Sequence, residues 1–188
     1  MLAAWLRQKY PNKVYAAIAS SAPVFQFTAD CGSFYNVTSN SFKRVDSKCA
    51  DLILKSWQAI NNLNKTQYGL DQLSSIFRLC NSLNHTDIDL FKLWLKEIYV
   101  YTAQINYPHE SSSDNPLPAR PVKVLCSNIT TNVHNINMED LDDITLLKAI
   151  YSGINVYLNY TGTEKCFSVF TEQTGVDYVD LAWSYQVR

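Results

Sequence analysis

Hydrophobic positions along the chain fall into a short N-terminal block and a longer helical one. Met1, Leu2, Trp5 and Leu6 share an apolar face at helical spacing, and Pro11 stops the run. Val14 to Ala19 is then continuously apolar, which predicts a short strand buried on both faces, as in a parallel sheet. No N-cap residue precedes the helix and no second strand pattern lies near the first. A lone buried strand leaves its ladder groups unpaired. Residues 1–24 therefore read as one helix and one strand of a larger α/β sheet whose beginning is expected upstream of Met1.

After a loop over residues 20–33 the period changes. Phe42, Val45, Cys49, Leu52, Ile53, Trp57 and Ile60 recur at spacings of three and four, which predicts one long amphipathic helix ending at Asn61-Asn62. Leu70, Leu73, Ile76, Phe77 and Cys80 predict a second. Thr86 with Asp89 resembles a capping box opening a third helix through Ile88, Phe91, Leu95, Ile98 and Tyr99. Residues 106–121 form a polar, proline-rich loop. Pro121 suits the first turn of a fourth helix through Val124 and Cys126. Leu141, Ile144, Leu147, Ile150, Tyr151 and Ile154 predict a fifth, ending near Gly162. The organisation expected is an α/β remnant at 1–30, a helical domain at 31–165 and a return segment at 166–188.

Composition narrows the function classes. The chain has 188 residues, enough for one domain with a real core. No apolar stretch approaches the ~20 residues of a membrane-spanning helix. With 16 basic and 17 acidic residues evenly mixed and a net charge of -1, there is no basic stripe for nucleic acid. Five cysteines (Cys31, Cys49, Cys80, Cys126, Cys166) lack zinc spacing, and sequons stand at Asn36, Asn64, Asn84, Asn128 and Asn159. Together they favour a secretory or lysosomal route. Met1 to Leu6 is no signal peptide, and the odd cysteine count points to a partner elsewhere.

No complete active site emerges from the residues. His85, His109 and His134 lie in polar contexts without a carboxylate or cysteine at ligand spacing, so no metal site is expected. Ser20-Ser21 follow the strand but lack a Gly-x-Ser-x-Gly frame. Glu139, Asp140, Asp142 and Asp143 could be paired catalytic carboxylates, but a role in capping a helix fits better. No phosphate-binding glycine loop exists among five glycines, and no cofactor is expected.

Met1 to Pro11, followed by Ala19-Ser20-Ser21-Ala22-Pro23-Val24-Phe25-Gln26-Phe27, resembles the lysosomal Pro-X carboxypeptidase family of serine peptidases, which includes dipeptidyl peptidase II and thymus-specific serine protease. The likeness continues through Cys31 to Phe34, Pro116 to Ala119, Pro121 to Val124, Asn155 to Gly162 and Trp183-Ser184-Tyr185-Gln186. Cys31 and Trp183-Ser184 look closer to Pro-X carboxypeptidase than to dipeptidyl peptidase II. The resemblance implies an α/β-hydrolase fragment: the helix after the nucleophile elbow, one strand, and a mostly α-helical, disulfide-linked cap. In that family Gly-Gly-Ser-Tyr-Gly-Gly stands just before the residue matching Met1, and the catalytic Asp and His come after the position of Arg188. All three triad residues would then lie outside this chain. The resemblance further implies disulfides Cys49–Cys126 and Cys80–Cys166, with Cys31 pairing outside the chain, and peptide substrates with proline near a terminus. It admits a homodimeric, lysosomal or secreted parent. Met1, Pro23, Val24 and Phe25 are the expected substrate-lining positions, with core packing as the competing role. Arg188 departs from the pattern, since the family carries a cysteine there. The competing function is a free-standing secreted helical binding module without catalysis.

Overall fold

A computed structural model describes residues 1–25, 28–30, 32–111 and 116–169. It divides into two compact units, 1–37 and 38–188.

In the first unit, α1 spans Leu2–Lys9, and Arg7 and Lys9 stand in its last turn, where cations complement the helix dipole. None of its residues is buried. Tyr10 closes it, donating its N–H to the Leu6 carbonyl at 2.9 Å. The strand expected over Val14–Ala19 does not form: these residues are irregular, and Tyr15 and Ile18 are 97% and 90% exposed. The physical reason is the one its sequence raised. A strand exists by ladder pairing, and no β-ladder is present among the described residues, only two isolated bridges elsewhere.

The second unit is helical. α2 (Ser33–Val45), whose residues up to Val37 belong to the first unit, and α3 (Ser47–Leu63) replace the single long helix that the apolar period predicts. The break is Asp46. Its backbone turns extended (φ -158°), and its carboxylate accepts the Cys49 N–H at 3.1 Å, capping α3. The apolar stripe passes across the break, so periodicity alone does not reveal it. α4 spans Gln67–Ile76, capped by Thr66 Oγ1, which accepts from Gly69 N at 3.0 Å. It ends before Cys80 because Arg78 takes a left-handed conformation (φ 51°).

A 3-10 turn at His85–Asp87 leads into α5 (Ile88–Gln104). Its start is not fastened by Thr86 and Asp89. Asp87 instead reaches back, its Oδ2 accepting the Asn84 N–H at 2.8 Å, while Thr86 Oγ1 donates to the other oxygen at 3.2 Å. α6 (Pro121–Asn132) begins with proline at its first turn, and α7 (Asp143–Leu158) is capped by Asp142, which accepts from Thr145 N at 3.0 Å. Hydrogen bonding from the Thr145 side chain, and then from its backbone N–H, holds the Asp142 carboxyl below the usual carboxylate range.

The core lies between α3, α4, α5, α6 and α7, with Leu52, Ile60, Leu73, Phe77, Phe91, Leu95, Leu125, Ile129, Leu146 and Ile150 all fully buried. Phe77 sets its ring edge-to-face against Phe91 at 5.0 Å, a favoured aromatic geometry. α6 and α7 pack most extensively, and Gly153 makes this possible. A Cβ there would overlap Ile129 and lie 3.0 Å from the Leu125 carbonyl oxygen. One face of α3 carries polar groups seven residues apart that anchor the segment entering α7. Lys48 Nζ donates to Val133 O at 3.4 Å, Lys55 Nζ to the carbonyls of Met138 and Leu141, and Asn62 Nδ2 to Asp143 Oδ2 at 2.9 Å.

Two disulfides lock this arrangement. Cys49–Cys126 ties α3 to α6, and Cys80–Cys166 ties the segment after α4 to the segment after α7. Beside the second, Leu79 and Phe167 form a parallel bridge in which Cys80 N donates to Phe167 O and Phe167 N to Arg78 O, each at 2.9 Å. Cys31, Gln26, Phe27, Trp183 to Gln186 and Arg188 lie outside the described residues.

Candidate functional site

The expected substrate-lining residues all belong to the first unit. Met1 is half-buried and precedes α1, its carbonyl accepting from Trp5 N at 3.2 Å. Pro23 is exposed, Val24 half-buried, and the Phe25 ring 75% exposed. The loop is held by its backbone. Ser21 is left-handed (φ 51°), Val24 N donates to Ala22 O at 2.8 Å, and the Phe25 carbonyl accepts from Thr28 N, Ala29 N and Thr28 Oγ1. This turn spends its hydrogen bonds on shape and presents the Phe25 ring outward. No hydrogen bond joins Met1 to residues 23–25.

Three of the four carboxylates weighed for catalysis are engaged in structure. Asp142 caps α7, Asp143 accepts from Asn62, and Asp140 accepts from Asn137 Nδ2 at 3.2 Å. The three histidines are exposed. His85 Nδ1 lies 3.3 Å from Asn64 Oδ1, the His109 ring stacks on Tyr107 at 5.6 Å, and His134 Nδ1 lies 2.7 Å from the Thr131 carbonyl. Among the described residues no group of three His, Cys, Asp or Glu side chains is arranged to hold a metal.

One feature escapes the sequence reading. Val45, Asn106, Pro108, Arg120 and Lys123 line an open groove of about 410 Å³. Arg120 holds it in place: left-handed at φ 52°, it donates its N–H to Tyr107 O at 2.6 Å, while Asn106 Oδ1 accepts from Val122 N at 3.2 Å. Its two cations attract anions, but none of its residues is a nucleophile or a general base. Only the helix-start signal of Pro121 marks this place in the sequence.

The profile of the serine carboxypeptidase S28 family matches residues 1–187. The chain belongs to the serine carboxypeptidase S28 family. S28 proteins are serine peptidases of the α/β-hydrolase type, and the chain is 38% identical over 188 residues to the lysosomal Pro-X carboxypeptidase of Homo sapiens, covering 99% of this chain and 36% of that protein. The Bos taurus protein of the same name is 39% identical over 189 residues, with the same coverage. A putative serine protease of Caenorhabditis elegans, pcp-1, is 34% identical over 202 residues, covering 99% of this chain and 34% of that protein. The S28 chain thus spans about a third of the length of the curated relatives it matches. Among its described residues no helix is long and apolar enough to cross a membrane.

Proposed function

We propose that this chain supplies the cap of an S28 serine exopeptidase that cleaves next to proline, in the manner of a Pro-X carboxypeptidase. The observation that carries the reading is the match over residues 1–187, joined to lysosomal Pro-X carboxypeptidases of which this chain spans 36%. In this account α1 is the helix that follows the nucleophile elbow. Its N-terminal dipole then faces the nucleophile and the oxyanion of the tetrahedral intermediate. The serine nucleophile, its histidine base and the aspartate that orients it come from the rest of the parent enzyme.

The disulfide-tied helices act as a lid. A rigid cover over the catalytic centre admits chain ends and rejects internal peptide bonds, which is how a serine hydrolase becomes an exopeptidase. Met1, Pro23, Val24 and Phe25 line the substrate side, with the outward ring of Phe25 as the apolar contact. Lysosomal relatives and two structural disulfides support a lumenal setting for the parent. Its substrates are peptides with proline near a terminus.

The test is hydrolysis. The purified, disulfide-bonded 188-residue chain is incubated with a peptide bearing penultimate proline, and released amino acid is measured. No release is expected from this chain. The parent enzyme is expected to release the terminal residue, and Phe25→Ala in the parent to raise KM at nearly constant kcat, the mark of lost uniform binding. The loss is about 1–2 kcal/mol, roughly five- to thirty-fold. Proline-directed hydrolysis by the chain alone overturns the assignment of the triad to the rest of the parent.

A further inference from the structure

The surroundings of the sequon asparagines differ in a way the sequence does not reveal. N-glycosylation joins an asparagine Nδ2 to C1 of a sugar carried on a lipid diphosphate. The amide gives up one proton and the lipid diphosphate leaves. The folded product must then give a bulky, hydrated group open solvent at Nδ2.

Asn84 meets that requirement. It is exposed, its backbone is extended (φ -106°, ψ 168°), and its own N–H makes the bond to Asp87 that fixes the turn. Asn64 stands beside it and, like Asn128, is half-buried, so what separates these two is the partner of each amide and not exposure. It closes α3, and its Oδ1 lies 3.3 Å from His85 Nδ1, His85 being the middle residue of the Asn84 sequon. That contact uses the amide oxygen and leaves Nδ2 available. Asn128 is the opposite case. It is half-buried in α6, and its Nδ2 is aimed across the α6–α7 seam at Ser152 O, at 3.5 Å. Ser152 Oγ returns a bond to Asn128 O at 3.1 Å, and Asn132 Nδ2 donates to Ser152 Oγ at 2.9 Å. The next residue, Ile129, presses on Gly153. A sugar on Asn128 would wedge the two helices apart where they pack closest.

We infer that Asn64 and Asn84 carry N-linked glycans that emerge together from one edge of the helical unit, and that Asn128 stays bare in the folded protein. The sugars mark this edge as solvent-facing in the parent enzyme. The inference rests on the lumenal route proposed above.

The 188-residue chain is directed into the secretory route of a eukaryotic cell by a leader peptide. The disulfide-bonded monomer is isolated by non-reducing electrophoresis. Enzymatic deglycosylation then converts each glycosylated Asn to Asp, read by peptide mass. Conversion is expected at Asn64 and Asn84 and none at Asn128. In total lysate, Asn64→Gln and Thr86→Ala are each expected to remove one glycan step from the electrophoretic mobility, whether or not the chain folds. A bare Asn64 or Asn84 beside glycans elsewhere, or a sugar on Asn128 in the disulfide-bonded monomer, overturns the inference. A chain with neither disulfide nor any glycan overturns it too, and locates the failure in the lumenal route.

Discussion

Replacing Cys49 and Cys126 together by alanine removes the crosslink between α3 and α6 and leaves both Cβ atoms in place. Both cysteines are buried, at 0% and 1% exposure, so alanine introduces no buried polar group. The bridge closes a loop with a sequence separation of 77. In the chain-entropy picture such a loop restricts the unfolded chain by roughly 4.5 kcal/mol at room temperature. The second bridge reduces that figure. Cys80 falls inside the first loop and Cys166 beyond it, so the unfolded chain remains partly constrained when the first bridge is cut. The expected loss is therefore about 3–4.5 kcal/mol, a large share of the ~5–15 kcal/mol that holds a domain folded. Equilibrium urea unfolding reads it directly: the midpoint falls, and the slope rises because the less constrained unfolded chain exposes more surface. A loss below about 1 kcal/mol would refute the reasoning, since it would mean the bridge does not close this loop between two docked helices.

Three further substitutions probe the packing. Gly153→Ala gains about 1 kcal/mol of helix propensity but forces a Cβ onto Ile129 and the Leu125 carbonyl, so a net loss of roughly 0.5–2 kcal/mol is expected; a rise in Tm would contradict the close α6–α7 approach. Tyr99 packs edge-to-face on Phe42 and Trp57 with its hydroxyl buried and unpartnered, so Tyr99→Phe is expected to hold or raise Tm, whereas a loss above about 1 kcal/mol would reveal a hydrogen bond at that hydroxyl. Burial pushes the Tyr99 phenol above its ordinary range, so its contribution is present below the unfolded pKa and is lost as pH rises through the folded one; the Phe variant is expected to flatten the alkaline limb of a stability–pH curve. Asp142→Ala removes the α7 cap at a cost of about 1 kcal/mol near neutrality. Because hydrogen bonding to Thr145 lowers the Asp142 pKa, the carboxylate stabilises the fold above the ordinary carboxylate range and ceases to as pH falls through the lowered value, so wild type and variant are expected to converge in acid.

Helix identity is legible in the sequence wherever an apolar stripe has a packing partner within the chain. Leu70 to Ile76, Ile88 to Tyr99 and Ile144 to Ile154 all fall in helices of the core. Boundaries are less legible because they are set by single side chains choosing among nearby hydrogen bonds. Asp46 splits one apolar stripe into two helices, and Asp87 rather than Asp89 fastens the start of α5. The apolar run Val14–Ala19 carries the composition of a buried strand, but strand formation depends on another strand's backbone, which no local pattern supplies. Family membership is legible through short blocks such as Met1 to Pro11. The groove beside Arg120 is not, because it is created by a left-handed backbone and by loop closure onto Tyr107.

The central claim, that this chain is the cap-bearing part of an S28 exopeptidase, is tested most directly by sequencing full-length transcripts across the codon for Met1. The account predicts an open reading frame that continues upstream, with codons for Gly-Gly-Ser-Tyr-Gly-Gly immediately before Met1. Transcripts without a Gly-x-Ser-Tyr-Gly-Gly sequence upstream of Met1 would contradict it and would leave the helical unit as a module of its own.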